Sequence, residues 1–486
     1  MSGTTLGLAP FYGAFIDGKF DTEAENHTAA LDPATGAPLA EVARCTAADV
    51  DRAVAAAEAA FGPWSRTLPE ERSRAIHHLA DLIEADAERL AQIDSRDVGR
   101  HIREMREDYR MAVAHFRYFA SIALAHEDFG RPIPGGYSIA KRVPLGVCGQ
   151  IIPWNDPVVM LAFKLAPALA AGNTVVLKPD VNASLATLEI GKHLAAALPA
   201  GVVNIVPGTG EEVGTAISAH PRVQKLAFTG STAVGRVIAE AAAKRLIPAI
   251  LELGGKSPNI VFPDIDDIDA VVRDATAAVI VCNGQSCLAG TRLFVHDDIY
   301  DEFVGKLVAH FAELVIGPPS AQDTDLGCMI SPRQGERILS YIETGKAEGA
   351  RLLHGGRRVE VSGCPAGYFI EPTIFEATND MKIAQEEIFG PVLTVIRWHD
   401  YETMIREANA TEYGLTSGIY TSNLQHAMET ADRLEAGSVW INRYANLHGG
   451  TPFGGFKDSG LGREYCRETL HAYSQLKSIT IQGLPG

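Results

Sequence analysis

The spacing of apolar positions changes rhythm along this chain, and each change marks a different kind of element. Residues 46–125 are rich in Ala, Glu and Arg with a helical period. "TAADVDRAVAAAEAAF" opens on Thr46, an N-cap candidate. "LPEERSRAIHHLADLIEADAERLAQI" repeats apolar residues at helical spacing, which predicts a two-faced, solvated helix. The texture then breaks. "RPIPGGYSIAKRVPLGVCGQIIPWN" combines turn residues with β-branched runs, which predicts a hairpin followed by a core strand. From there strand-like and helix-like segments alternate. "VCGQIIP", "NTVVLKP", "GVVNIVPG" and "VQKLAFTG" read as strands. "VVMLAFKLAPALAAG", "SLATLEIGKHLAAAL", "EEVGTAISAH" and "STAVGRVIAEAAAK" read as the helices between them. The strands lack polar alternation, so both faces are expected to be covered, as in a doubly wound parallel α/β sheet. Such sheets bind nucleotides at the carboxyl ends of their strands. A boundary is expected near Leu253–Lys256. A second α/β series follows, with "LFVHDDIYDEFVGKLVAHFAEL", "PVLTVIRW" and "AGSVWINR", and ends near residue 450. The tail carries a short β-prone run, "LKSITIQ".

Composition narrows the function classes. The 486 residues are 46% hydrophobic and 21% charged, enough chain for two or three globular domains. The net charge of −17 disfavours nucleic acid and anionic membranes as partners, because phosphate binding needs clustered Lys and Arg. No apolar run approaches the roughly 18 residues of a membrane span. The first residues, "MSGTTLGLAPFYGAF", lack the basic and apolar regions of a signal peptide. The seven cysteines are odd in number, widely spaced and without a CxxC, so neither a disulfide framework nor a metal site is expected. A cytoplasmic location fits that usage.

Five segments carry candidate chemistry. In "NGQSCLAGTR", Cys287 sits among small residues that let a reactant approach its sulfur. Without further context, a buried thiol acting as a small hydrophobe is the commoner outcome. "GTGEEVG" nearly matches GxGxxG through Gly208 and Gly210 but has Val213 where the third glycine belongs. "FTGSTAVG" ends a strand at Gly230 and offers Ser231 as a helix cap, so the helix N-terminus faces a potential pyrophosphate. "IIPWNDP" places Asn155 after a buried strand, where its amide can donate to an oxyanion. "ELGG" sets Glu252 at a strand end, a general-base candidate, before two glycines that permit close approach. Each of these also has a plain structural reading as a turn or cap.

Taken in order, "GQIIPWN", "NTVVLKP", "FTGST", "LELGGKSPNIVF", "GQSCLAGTR", "EEIFGPVL" and "PFGGFKDSGLGRE" closely resemble the aldehyde dehydrogenase superfamily, from about residue 11 to the C-terminus. The resemblance implies two Rossmann-type α/β domains. Residues 1–129 with 150–253 would bind the dinucleotide and 254–450 would carry the catalytic cysteine. Residues 130–149 with 465–486 would form a small β element for oligomerisation, giving a homo-oligomer, dimer or tetramer. It implies Cys287 as nucleophile, Asn155 as oxyanion donor and Glu252 as the base that activates water. Ile151, Ile152, Pro153, Trp154, Lys178, Gly210, Phe228, Gly230, Ser231, Val234, Leu253, Glu387 and Phe389 would face the cofactor. Glu464 matches either a proton-relay or a structural glutamate. Asp156, Met160, Phe163 and Leu447 would line the aldehyde tunnel. The implied partners are a small aldehyde and water.

Two positions depart from the family pattern. Val181 stands where NAD-preferring members often carry Glu, although Asp180 is adjacent, so NAD+ is favoured with tolerance of NADP+. Asp156 stands where an aromatic residue is common. Its partner is expected to be either a protein cation or a polar group of the substrate. By the resemblance Asp108 would lie near the tunnel mouth, where Arg106 and Arg110 could neutralise it. A CoA-acylating enzyme is the nearest alternative, and Glu252 argues against it. A non-catalytic binding protein is the other, and the intact Cys287, Asn155 and Glu252 argue against that.

Overall fold

The computed structural model describes residues 6–125 and 128–483. Positions 1–5, 126–127 and 484–486, which the expected domains include, lie outside the described residues. The fold is mixed α/β, built around two large sheets. The first has eight strands. Its centre is parallel, running Ala249–Glu252, Val223–Thr229, Val147–Ile151, Thr174–Lys178 and Val203–Ile205 across the sheet. The chain therefore builds outward from Val147–Ile151 in one direction, then returns and builds on its other side. That makes the carboxyl ends of Val147–Ile151 and Val223–Thr229 a topological switch point, where a crevice opens. The loops 152–156 and 230–231 begin there.

The second sheet has seven strands centred on Arg292–His296. It is parallel except for the edge strand Arg351–His354. The third assembly is a three-stranded antiparallel sheet of Phe129–Ile133, Gly136–Pro144 and Ser474–Gln482.

Local chemistry accounts for the helices that frame the crevice. Thr46 opens the helix Ala47–Ser65, and the Asp49 carboxylate accepts the Thr46 N–H at 2.8 Å. Pro157–Ala170 is buried on nearly every face, in keeping with its almost unbroken apolar sequence. It packs against the long helix Ile102–Ile122.

Two details differ from the pattern-based expectation. "EEVGTAISAH" is not one helix. Gly210–Gly214 forms a wide turn capped by Thr209, and only Thr215–Ala219 is α-helical. Glycines at both ends of that turn weaken the helical preference there. The chain past residue 450 also returns to the first sheet. Gly460–Leu461 pairs antiparallel with Leu251 and Glu252, beside the carboxylate expected to act as base. A two-residue edge strand gives too little periodicity to be read from sequence.

Candidate active site

The turn before Cys287 is strained and tightly held. Cys282, Asn283 and Gly284 all have positive φ, at 53°, 56° and 75°. Two consecutive non-glycine residues in the left-handed region need surrounding contacts to stay there. Glu104 accepts the Cys282 N–H at 2.8 Å. The Asn283 amide donates to the Gly99 and Cys328 carbonyls at 3.1 and 3.0 Å and accepts from Gly327 N–H at 2.9 Å. Gln285 accepts from Ile330 N–H at 3.2 Å. Cys287 emerges from this turn half-buried, whereas the other six cysteines are buried. The "ELGG" pair works against the protein itself. A Cβ at Gly255 would lie 2.2 Å from the Cys287 carbonyl, and one at Gly254 would lie 2.7 Å from Glu387 Oε2. Burial pushes the Cys287 thiol up, and the Glu387 and Glu252 charges add to that push.

Glu252 ends its strand with both carboxylate oxygens buried and without a hydrogen bond. Burial, then the charge of Glu464, pushes it well above the ordinary carboxylate range. Glu464 is itself fully buried and pairs with Lys164 at 2.7 Å. Gly454 lets the returning chain pass, since a Cβ there would meet Glu252 Oε1 at 2.8 Å. Asn155 is buried, and Arg100 Nη1 donates to its main-chain carbonyl at 2.9 Å.

A cavity of about 530 Å³ brings many of the expected residues together. Cys287, Asn155, Glu252, Pro153, Trp154, Gly230, Ser231, Leu253, Glu387 and Phe389 all line it, and so do Asp156, Met160, Phe163 and Leu447. Ile151, Ile152, Lys178, Gly210, Phe228, Val234 and Glu464 do not. Ile151, Ile152, Lys178 and Phe228 are buried behind or beside the crevice. Ser231 accepts from Val234 N–H at 3.4 Å and starts the helix Thr232–Arg245, on which Val234 stands 47% exposed. Gly210 is exposed on the wide turn, whose Gly214 lies close to Ile151 and Lys178. Glu387 Oε1 accepts Gly255 N–H at 3.0 Å. Phe389, at φ 60°, meets the Trp154 ring edge-on at 5.4 Å.

The structure also places residues that the motifs did not single out. Gln334 donates to the Phe389 carbonyl and Arg337 to the Glu387 carbonyl, both at 2.7 Å, so the helix Pro332–Ala347 holds that loop. Asp108 is not neutralised by Arg106 or Arg110, which pair with Glu88 and Glu107. On a helix those arginines point away from the buried face that carries Asp108. Its ion-pair partner is Arg100, at 2.8 Å, and Arg100 Nη1 also lies 3.5 Å from Asp156. Of the two partners left open for Asp156, the protein cation is present. Its only sequence signal was an arginine after a glycine, at a helix approach. Among the described residues no group of His, Cys, Asp or Glu could hold a metal ion, and no helix is long and apolar enough to cross a membrane.

Known proteins share this fold. The aldehyde dehydrogenase family model matches residues 20–479. An aldehyde dehydrogenase of Aspergillus niger is 44% identical over 475 residues, covering 96% of this chain and 94% of its own. The NAD+ complex of an aldehyde dehydrogenase from Bacillus cereus superposes with a TM-score of 0.94 at 40% identity, covering 97% and 96% of the two chains. A mutant indole-3-acetaldehyde dehydrogenase of P. syringae, in complex with NAD+ and IAA, gives a TM-score of 0.95 at 38% identity, covering 98% of each chain.

Proposed function

The chain belongs to the aldehyde dehydrogenase family, and from that premise we propose that it oxidises an aldehyde to the carboxylic acid through a covalent adduct on Cys287. The observation that carries this reading is the meeting of Cys287, Asn155 and Glu252 on one cavity. The deprotonated Cys287 sulfur attacks the aldehyde carbon, and the Asn155 amide donates to the oxygen as charge develops there. When bound, NAD(P)+ supplies the hydride acceptor, which leaves a thioester on Cys287. Glu252, ionised, takes a proton from water as its oxygen attacks the thioester, releasing acid and restoring the thiol. Lys164 and Glu464 pair with each other, and the Glu464 charge adds to the upward push of burial on Glu252.

The residues fit a dinucleotide. Ser231 and the following helix N-terminus present N–H groups to a pyrophosphate. Lys178 Nζ donates to the Pro179 carbonyl at 2.9 Å and has further N–H groups for a ribose. Glu387 is held by one hydrogen bond and keeps acceptor capacity for a second ribose. NAD+ is the favoured cofactor, as in the neighbouring complexes, and NADP+ is tolerated because Val181 adds no charge. The enzyme acts in the cytoplasm as a homo-oligomer, without nucleic acid or membrane.

Two variants test the mechanism. Cys287→Ala should abolish oxidation while the protein still binds cofactor. Glu252→Gln should accumulate an acyl adduct on Cys287 by mass spectrometry, with a burst of reduced cofactor before slow turnover. Near wild-type steady-state turnover in either variant would remove that residue from the mechanism. Turnover that requires CoA would replace the hydrolytic reading with the acylating one.

A further inference from the structure

Around Arg100, at the cavity wall, three carboxylates meet one cation. The Arg100 side chain is 1% exposed. Its Nε and Nη2 serve Glu104, at 3.2 and 3.1 Å. That leaves Nη1, which carries two N–H groups. Three oxygens crowd it: the Asn155 carbonyl at 2.9 Å, Asp108 Oδ2 at 2.8 Å and Asp156 Oδ1 at 3.5 Å. Asp108 Oδ2, though close to the guanidinium, receives no well-directed hydrogen bond.

Charge is unbalanced as well. One guanidinium faces Glu104, Asp108 and Asp156. Against the upward push of burial, Arg100 and His101 hold Glu104 low, so it stays ionised. Burial pushes Asp108 well up and Asp156 to about 6, with Arg100 opposing both shifts. Arg100 is already matched by Glu104, so the two aspartates together lack a full counter-charge. Other cations on this helix are engaged elsewhere. Arg103 pairs with Asp325, Arg106 with Glu88 and Arg110 with Glu107.

This imbalance faces the cavity. Asp108 and Asp156 line it, and Glu104 does not. The neighbouring wall is apolar, formed by Met111, Val159, Met160, Phe163 and Leu447. A carboxylate in such a wall is costly without a partner.

We propose that the substrate supplies the missing cation: the cavity takes an aldehyde with an apolar body and a remote ammonium group, and Asp156 with Asp108 is the pair that selects it. The contact is a charge-assisted hydrogen bond and forms no covalent bond. A wall short of positive charge favours an ammonium over a neutral hydroxyl and opposes a remote carboxylate. The inference rests on the reading of this cavity as the aldehyde-oxidising site.

The test compares β-aminopropionaldehyde with butyraldehyde, which has a methyl group in place of the ammonium. The full-length wild-type enzyme should show the higher kcat/KM for the amino-aldehyde. Asp156→Asn and Asp108→Asn, measured separately, should each lower the ratio of the two kcat/KM values by about tenfold or more, since a buried polar partner discriminates strongly. Because the readout is a ratio on one preparation, a general loss of activity does not imitate the result. Preference of the wild-type enzyme for butyraldehyde would overturn the proposal even if neither variant folds. An unchanged ratio in both variants would do the same. If the wild type oxidised no aldehyde at all, the underlying reading of the site would fall instead.

Discussion

At the residue scale, the two groups that must lose a proton are both held against doing so. Burial comes first in raising Cys287, and the Glu387 and Glu252 charges follow. Burial comes first for Glu252 as well, followed by Glu464. A raised pKa means that the deprotonated, reactive form grows as pH rises. Aldehyde oxidation should therefore climb on going from mildly acidic to alkaline pH, with no falling limb from these two groups. A profile of kcat/KM and kcat that peaked below neutrality would contradict the assignment. Much of this site was legible in the sequence, because the small neighbours of Cys287 and the Gly pair after Glu252 are local signals. Arg100 was not, since its contact with Asp156 joins positions 56 residues apart. Nor could the sequence say that a Cβ at Gly254 or Gly255 would strike Glu387 or the Cys287 carbonyl.

At the scale of elements, the site depends on how the two large sheets present their loops to each other. The strand ending at Glu252 runs into Gly255, and the nucleophile turn lies against it with no space for a Cβ. The approach is to main chain, which cannot swing aside as a long side chain can. Gly255→Ala should displace the turn and lower kcat by about a hundredfold, as small misplacements of reacting groups do. Thermal unfolding with an unshifted midpoint and an unchanged kcat would refute the close approach. A second prediction concerns the strand Thr174–Lys178. Beyond it, Asp180 Oδ1 is occupied by the Asn182 N–H and side-chain amide, at 3.0 and 2.9 Å. Asp180 therefore keeps only part of its capacity for a ribose, and Val181 contributes none. Val181→Glu should shift the NAD+/NADP+ ratio of kcat/KM further towards NAD+, by about tenfold, the scale of one added charge near a phosphate. An unaffected ratio would move position 181 away from the ribose. The alternating strands and helices that make this crevice were readable from hydrophobic runs. The wide turn at Gly210–Gly214 and the edge strand Gly460–Leu461 were not, because neither is long enough to show a period.

At the scale of the whole molecule, the three-stranded sheet presents a long edge. Its strand Ser474–Gln482 pairs along nine residues with Gly136–Pro144. Among the described residues, no strand pairs with the other edge of Ser474–Gln482. Ile479 pairs with Ile139 and Ile481 with Tyr137, so these four side chains share one face. Tyr137, Ile479 and Ile481 are 47%, 39% and 41% exposed there. Three strands with an uncovered apolar face form a poor independent core, and a free edge of this length invites pairing with another chain. A second copy would satisfy both demands, consistent with the proposed homo-oligomer. Replacing Ile479 and Ile481 together by Lys places charge on that face without touching the cavity. Size-exclusion chromatography with light scattering should then report a smaller assembly than wild type, with the far-ultraviolet circular dichroism retained. A double variant that kept the wild-type mass would show that this sheet is not the surface through which copies associate.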